Sequence, residues 1–231
     1  MKSKNTISHR SSIFVVMPAC NEEKIIKKVI ESVQKQGYEN IIVVDDGSSD
    51  DTGEKALETQ VLVLRHSINR GKGAAVKTGI EAAKKLNASA VVTMDSDGQH
   101  NPKDIAPMVE YIENGYDVVL GSRLLKSKGM PFIKIIANYL GNFFTWIIYG
   151  LWVTDSQSGF RAYSKRAIAE IDTKHDRYEY DSEVIREIVK NKLRFIEIPV
   201  QVRYSKYSMN KVQKQSFYTG IKTLVRLVLS S

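Results

Sequence analysis

Short β-branched and aliphatic runs, separated by stretches of helical period, constrain this chain more than any other feature. The runs are Ile13–Met17, Ile41–Val44, Val61–Leu64, Ala90–Met94 and Asp117–Leu120. Glu23–Gln36 sets Ile25, Ile26, Val29, Ile30 and Val33 along one side, the pattern of an amphipathic helix. Ala74–Leu86 and Pro102–Asn114 read as helices too, with Pro102 suited to a first turn. Strands that are apolar on both faces and separated by helices predict an α/β fold, its mostly parallel central sheet flanked by helices. With 231 residues, 42% hydrophobic and 26% charged, the chain suits one large folded domain or one domain with a short appendage. A single cysteine excludes an internal disulfide and a cysteine-rich metal site.

Ligands of such sheets bind at the carboxyl ends of the strands. Three of the runs end in polar sequence: Pro18–Glu22 (PACNE), Asp45–Asp50 (DDGSSD) and Asp95–His100 (DSDGQH). The strand-end rule gathers them along one edge. Asp50 and Asp104 could equally be helix caps, but several carboxylates in one crevice repel one another unless a cation sits among them. Asp95 and Asp97, two apart with Ser96 between, offer the oxygen ligands that suit Mg²⁺ or Mn²⁺. Gln99 and His100 offer further ligands, with a polar surface position the other reading of His100. Asn69–Gly73 (NRGKG) lacks the spacing and the Lys-Ser/Thr ending of a P-loop. Its glycines suit a tight turn before a helix beginning near Ala74, with Arg70 or Lys72 able to face a diphosphate.

The ordered set Met17–Glu22 (MPACNE), Val44–Thr52 (VDDGSSDDT), Asn69–Ala74 (NRGKGA), Asp95–His100 (DSDGQH), Gly121–Arg123 (GSR) and Ser158–Arg161 (SGFR) resembles family 2 glycosyltransferases. More narrowly, it is similar to the dolichol- and polyprenyl-phosphate mannose and glucose synthases, from about Ile13 to Lys211. The resemblance implies a GT-A type fold and an inverting hexosyltransferase that takes a UDP-sugar or GDP-mannose as donor. It implies that Pro18, Glu22 and Asp46 line the nucleoside pocket with Asp45 close behind. Asp95, Asp97 and Gln99 are then the ligands of a Mg²⁺ or Mn²⁺ ion, with Ser96 at the ribose. Arg123 and Arg161 would hold the acceptor phosphate, as guanidinium forks do well. Tyr204–Gln213 resembles a basic loop that closes over the donor, making Arg203 and Lys211 candidate phosphate contacts.

A phosphate-monoester acceptor needs no strong protein base, because its second pKa is about 6. A sugar-hydroxyl acceptor would need one, and Asp155, just before the SGFR stretch, is the candidate that keeps that alternative open. An inactive docking partner of another transferase is a further reading, opposed by the intact Asp95, Asp97, Arg123 and Arg161. The net charge of +8 and the acid-free stretch Ile198–Ser231 suit anionic headgroups or phosphorylated substrates, and no motif points to nucleic acid.

Ile135–Val153 carries no charged side chain over 19 residues and is preceded by Lys126, Lys128 and Lys134. Its aromatics, with Asn138, Gly141, Asn142 and Gly150 interrupting, fit a helix or helix pair at a membrane interface better than a span, the alternative being a core helix. The run Ile13–Met17 is too short for a signal-peptide core. These features together predict a cytoplasmic protein held peripherally at a membrane surface, through its lipid, a membrane-protein partner or a homo-oligomer. The expected organisation is a tail over 1–12, a catalytic domain over 13–205 that includes an interface segment 131–153, and a basic loop with a C-terminal amphipathic helix over 206–231.

Overall fold

The computed structural model describes residues 12–125, 132–176 and 179–202. Arg203, Lys211 and the segment 206–231 lie outside them, as do Lys126 and Lys128. The strands are β1 Ile13–Ala19, β2 Ile41–Asp45, β3 Leu62–Arg65, β4 Ala90–Thr93, β5 Val118–Ser122, β6 Arg161–Ser164 and β7 Phe195–Pro199. They form one seven-stranded sheet in the order β3-β2-β1-β4-β6-β5-β7. The helices are α1 Ile26–Gln34, α2 Thr52–Leu57, α3 Lys72–Lys85, α4 Ile105–Glu113, α5 Phe132–Tyr149, α6 Lys165–Glu170 and α7 Glu179–Lys190.

Alternate residues of each central strand enter different layers, as the two-residue strand period requires. Val15, Met17, Ile41, Val43 and Val92 pack with Ile26, Val29, Ile30 and Val33 of α1 and with Ile105, Met108 and Val109 of α4. Val16, Ile42, Val44 and Val91 pack on the other face with Ala75, Val76 and Ala83 of α3 and with Val184, Ile185 and Ile188 of α7. Burial on both faces explains why these strands read as unbroken apolar runs. Each fully buried valine or isoleucine there contributes roughly 1.5–3 kcal/mol.

Pairing is parallel from β3 through β2 and β1 to β4. It turns antiparallel where β6 enters between β4 and β5. The sequence of β6, RAYS, contains a buried arginine and a buried tyrosine and carries no apolar run, so it is invisible to pattern. Among the described residues no helix is long and apolar enough to cross a membrane. Asp50 lies one residue before Asp51, the N-cap of α2, and accepts the Thr52 N–H at 3.1 Å. Asp104 stands at the start of α4 but spends an oxygen on the Gln201 N–H, at 2.8 Å.

Candidate active site

β1, β2 and β4 are neighbours, so their polar ends meet at one edge of the sheet. The Ser96 hydroxyl donates to the Pro18 carbonyl at 2.8 Å, joining the end of β4 to the end of β1. The Glu22 N–H donates to Thr52 Oγ1 at 2.7 Å, joining β1 to the start of α2. Asp45 is wholly buried behind this edge, accepting the Ser48 N–H at 3.0 Å, with Arg65 Nε 3.3 Å from its other oxygen.

The cation that converging carboxylates demand is supplied, in the protein alone, by Lys72. Gly71, with φ of 107°, turns the chain into α3 and makes Lys72 its first residue; positive φ is where glycine costs least. Lys72 Nζ lies 2.7 Å from Asp95 Oδ1 and 3.9 Å from Asp181 Oδ2. Burial alone would lower the ammonium's pKa, but Asp95 and Asp181 outweigh it and the pKa is raised. Burial pushes the Asp95 carboxyl up, and Lys72 more than reverses this, holding it at about 2. Asp97 goes the other way: burial and then the neighbouring Asp95 raise its pKa, and Glu22 adds to the effect. Gln99 braces Asp97 through its N–H at 2.9 Å and its side-chain amide at 2.8 Å.

Asp95 and Asp97 are thus a partly buried acidic pair that retains an unmet demand for positive charge. Among the described residues no group of three or more His, Cys, Asp and Glu forms a metal cage. Two carboxylates that leave the remaining positions to water and substrate phosphate are the normal donor set for Mg²⁺, so the residues present fit such an ion. His100 is no surface residue. It is buried, stacks on Phe160 with ring centroids 4.8 Å apart, and takes the Asp95 N–H on Nδ1 at 3.2 Å. Burial lowers its pKa.

Three of the expected site residues are engaged within the protein. The oxygens of Asp46 accept the Arg70 and Gly71 N–H groups at 2.9 and 2.7 Å, and His66 Nδ1 lies 2.7 Å away. Asp46 clamps the turn that delivers Lys72. The Ser96 hydroxyl is committed to the Pro18 carbonyl in a buried position. Arg161, 1% exposed, donates Nε to the Ser158 carbonyl at 2.8 Å and Nη2 to those of Ser156 and Asp181 at 2.7 and 3.0 Å. A guanidinium enclosed by backbone carbonyls holds these loops together.

Arg123 follows the end of β5. Asp155 grips it as a fork, accepting Nε on Oδ2 and Nη2 on Oδ1, both at 2.7 Å, and also takes its backbone N–H at 2.9 Å. The Arg123 charge is felt at both Asp95 and His100, so it lies on the same side of the sheet edge as they do. Asp155 is 2% exposed and both its oxygens are engaged by Arg123. Sequence reasoning missed Asp181 and Gly159. The first comes from a helix more than eighty residues after Asp95, with no local signal. The second matters because a Cβ there would stand 2.3 Å from Lys72 Nζ and 3.0 Å from Asp95 Oδ1.

Residues 14–172 match the family model described as Glycosyl transferase family 2. An uncharacterised protein of Methanocaldococcus jannaschii is 44% identical over 227 residues, covering 96% of this chain and 93% of its own. A UDP-N-acetylglucosamine–dolichyl-phosphate N-acetylglucosaminyltransferase of Methanococcus voltae is 38% identical over 240 residues, covering 94% and 95%. Among solved structures, glucosyl-3-phosphoglycerate synthase from Mycobacterium tuberculosis, in complex with Mn²⁺, UDP-glucose and phosphoglyceric acid, superposes with a TM-score of 0.68. That likeness covers 94% of this chain and 81% of the other at 20% identity, and it concerns the fold.

Proposed function

The chain belongs to glycosyl transferase family 2, and from that premise we propose that it moves a sugar from a UDP-linked donor to a polyprenyl or dolichyl phosphate. Its fold is of the GT-A kind, a mostly parallel seven-stranded sheet flanked by helices. The observation that carries the reading is Arg123, locked by Asp155 on the same side of the sheet edge as Asp95. An arginine so fixed suits a phosphate acceptor, and Asp155, the residue named as a base for a hydroxyl acceptor, is engaged in holding it. The Methanococcus voltae relative, named for a dolichyl-phosphate acceptor and a UDP-N-acetylglucosamine donor, supports the same class and widens the expected hexose to include an N-acetylhexosamine.

Asp95 and Asp97, with Gln99 bracing the second, would hold Mg²⁺ or Mn²⁺. When bound, such an ion neutralises the charge that develops on a departing diphosphate. The chain's own residues do the rest. Lys72 presents a permanent positive charge beside Asp95, where the donor phosphates would lie. The Asp46 clamp and Arg161 keep Lys72 and the loop 155–159 in place. Arg123 orients the acceptor phosphate and screens its repulsion from the donor, a positioning role suited to direct displacement with inversion. The exposed apolar face of α5, with Tyr139, Leu140, Phe143, Trp146 and Ile147, suits peripheral seating on a lipid surface.

The test is a transfer assay with Mn²⁺, polyprenyl phosphate in detergent, and radiolabelled UDP-N-acetylglucosamine, UDP-glucose or GDP-mannose in parallel. Label should enter the lipid phase from one UDP-sugar and fail to do so with Asp97→Asn. Donor binding without lipid product from any of the three would overturn the acceptor assignment.

A further inference from the structure

Helix α5 has two unlike faces. Tyr139, Leu140, Phe143, Trp146 and Ile147 are exposed, and Trp152 beyond the helix is exposed beside Trp146. Asn142 and Thr145 are buried on the opposite face, Asn142 with 1% of its surface exposed. A buried primary amide is costly unless its hydrogen bonds are met, and the partners of Asn142 are all in one loop. Its Nδ2 donates to the Thr154 carbonyl, and its Oδ1 accepts both the N–H and the hydroxyl of Ser156, each at 2.9 Å. Thr145 adds a hydroxyl contact to Ser156 at 3.4 Å. The residue between these anchors is Asp155, the fork that holds Arg123.

We propose that Asn142 is a positioning residue that ties the seat of α5 to Arg123, so that the helix presenting the aromatic face also sets the acceptor-binding arm. This rests on the acceptor role given to Arg123 above. The loop has other holds: Glu197 accepts the Thr154 N–H and hydroxyl at 2.8 Å, and Arg161 takes the Ser156 carbonyl. Among the described residues, Asn142 alone grips it on both sides of Asp155 from one side chain. Without that amide a buried carbonyl and a buried N–H lose their partners, and Asp155 is free to turn away from the guanidinium.

Asn142→Ala and the near-isosteric Asn142→Asp, which keeps the acceptor but not the donor, test this in the full chain. Amide hydrogen exchange at Arg123 should quicken about tenfold, because its N–H is held by Asp155, while amides of β1, β2 and β4 stay protected. The KM for polyprenyl phosphate should rise about tenfold with UDP affinity in Mn²⁺ unchanged. Unchanged protection at Arg123 in both variants overturns the proposal. So does a general loss of protection together with loss of UDP binding, which marks a merely structural residue. Should Asn142→Ala not fold, Asn142→Asp decides. If Arg123 is released but even the unaltered protein gives no lipid product, the positioning stands and the acceptor reading fails.

Discussion

Replacing Lys72 by methionine removes the largest charge that compensates Asp95 while keeping the length of the side chain. The Asp95 carboxyl is held at about 2, with Lys72 the largest opposing influence to burial, against roughly 3.9 for an unperturbed aspartate, and at about 1.4 kcal/mol per tenfold change in proton affinity the net shift corresponds to about 2–3 kcal/mol. That is an upper figure, since methionine also spares the cost of burying an ammonium. The sign follows from the depression. A carboxyl whose pKa falls on folding contributes stability that is complete above its unfolded value and is lost as pH drops through the folded one. Urea denaturation of the metal-free proteins should therefore show Lys72→Met less stable by about 2 kcal/mol at neutral pH, the difference vanishing between roughly pH 4 and pH 2. Mn²⁺ should stabilise the variant more than the unaltered protein, because no ammonium then competes for Asp95 Oδ1. Equal stability at neutral pH, or a deficit that persists unchanged in acid, would refute the reasoning.

Gly159→Ala should leave the fold intact but push the flexible end of Lys72 off Asp95, since the added Cβ meets Nζ at 2.3 Å; transfer should fall at least tenfold, with thermal stability lowered by about 1 kcal/mol. Arg161→Met takes a donor from three buried carbonyls and removes one of the two cations facing Asp181, so denaturation should show a loss of about 3–5 kcal/mol, not a specific loss of acceptor binding. Trp146→Glu on the exposed face of α5 should weaken sedimentation with anionic vesicles while UDP affinity in solution is unchanged; undiminished vesicle binding would remove that face from the membrane reading.

Much of the architecture is legible in the chain because its strands are buried on both faces. Ile13–Ala19, Ile41–Asp45 and Ala90–Thr93 announce themselves as apolar runs, and their polar endings mark the ligand edge. Asp95 and Asp97 stand out for the same local reason, two acids closing one run. β6 stays hidden because its core residues are Arg161 and Tyr163. Arg161 itself shows the limit: its type suits a phosphate, and only its enclosure by the Ser156, Ser158 and Asp181 carbonyls makes it a brace.

What the sequence determined alone, then, is periodic: which segments are buried, where the sheet ends, and which acids gather there. What the tertiary structure decided is pairing between distant residues. Lys72 meets Asp95 and Asp181, Asp46 clamps Arg70 and Gly71, Asp155 forks Arg123, and Asn142 holds the loop around Asp155. Ion pairs and hydrogen bonds act over a few ångströms in space, and chain position does not encode which side chain will arrive at the other end.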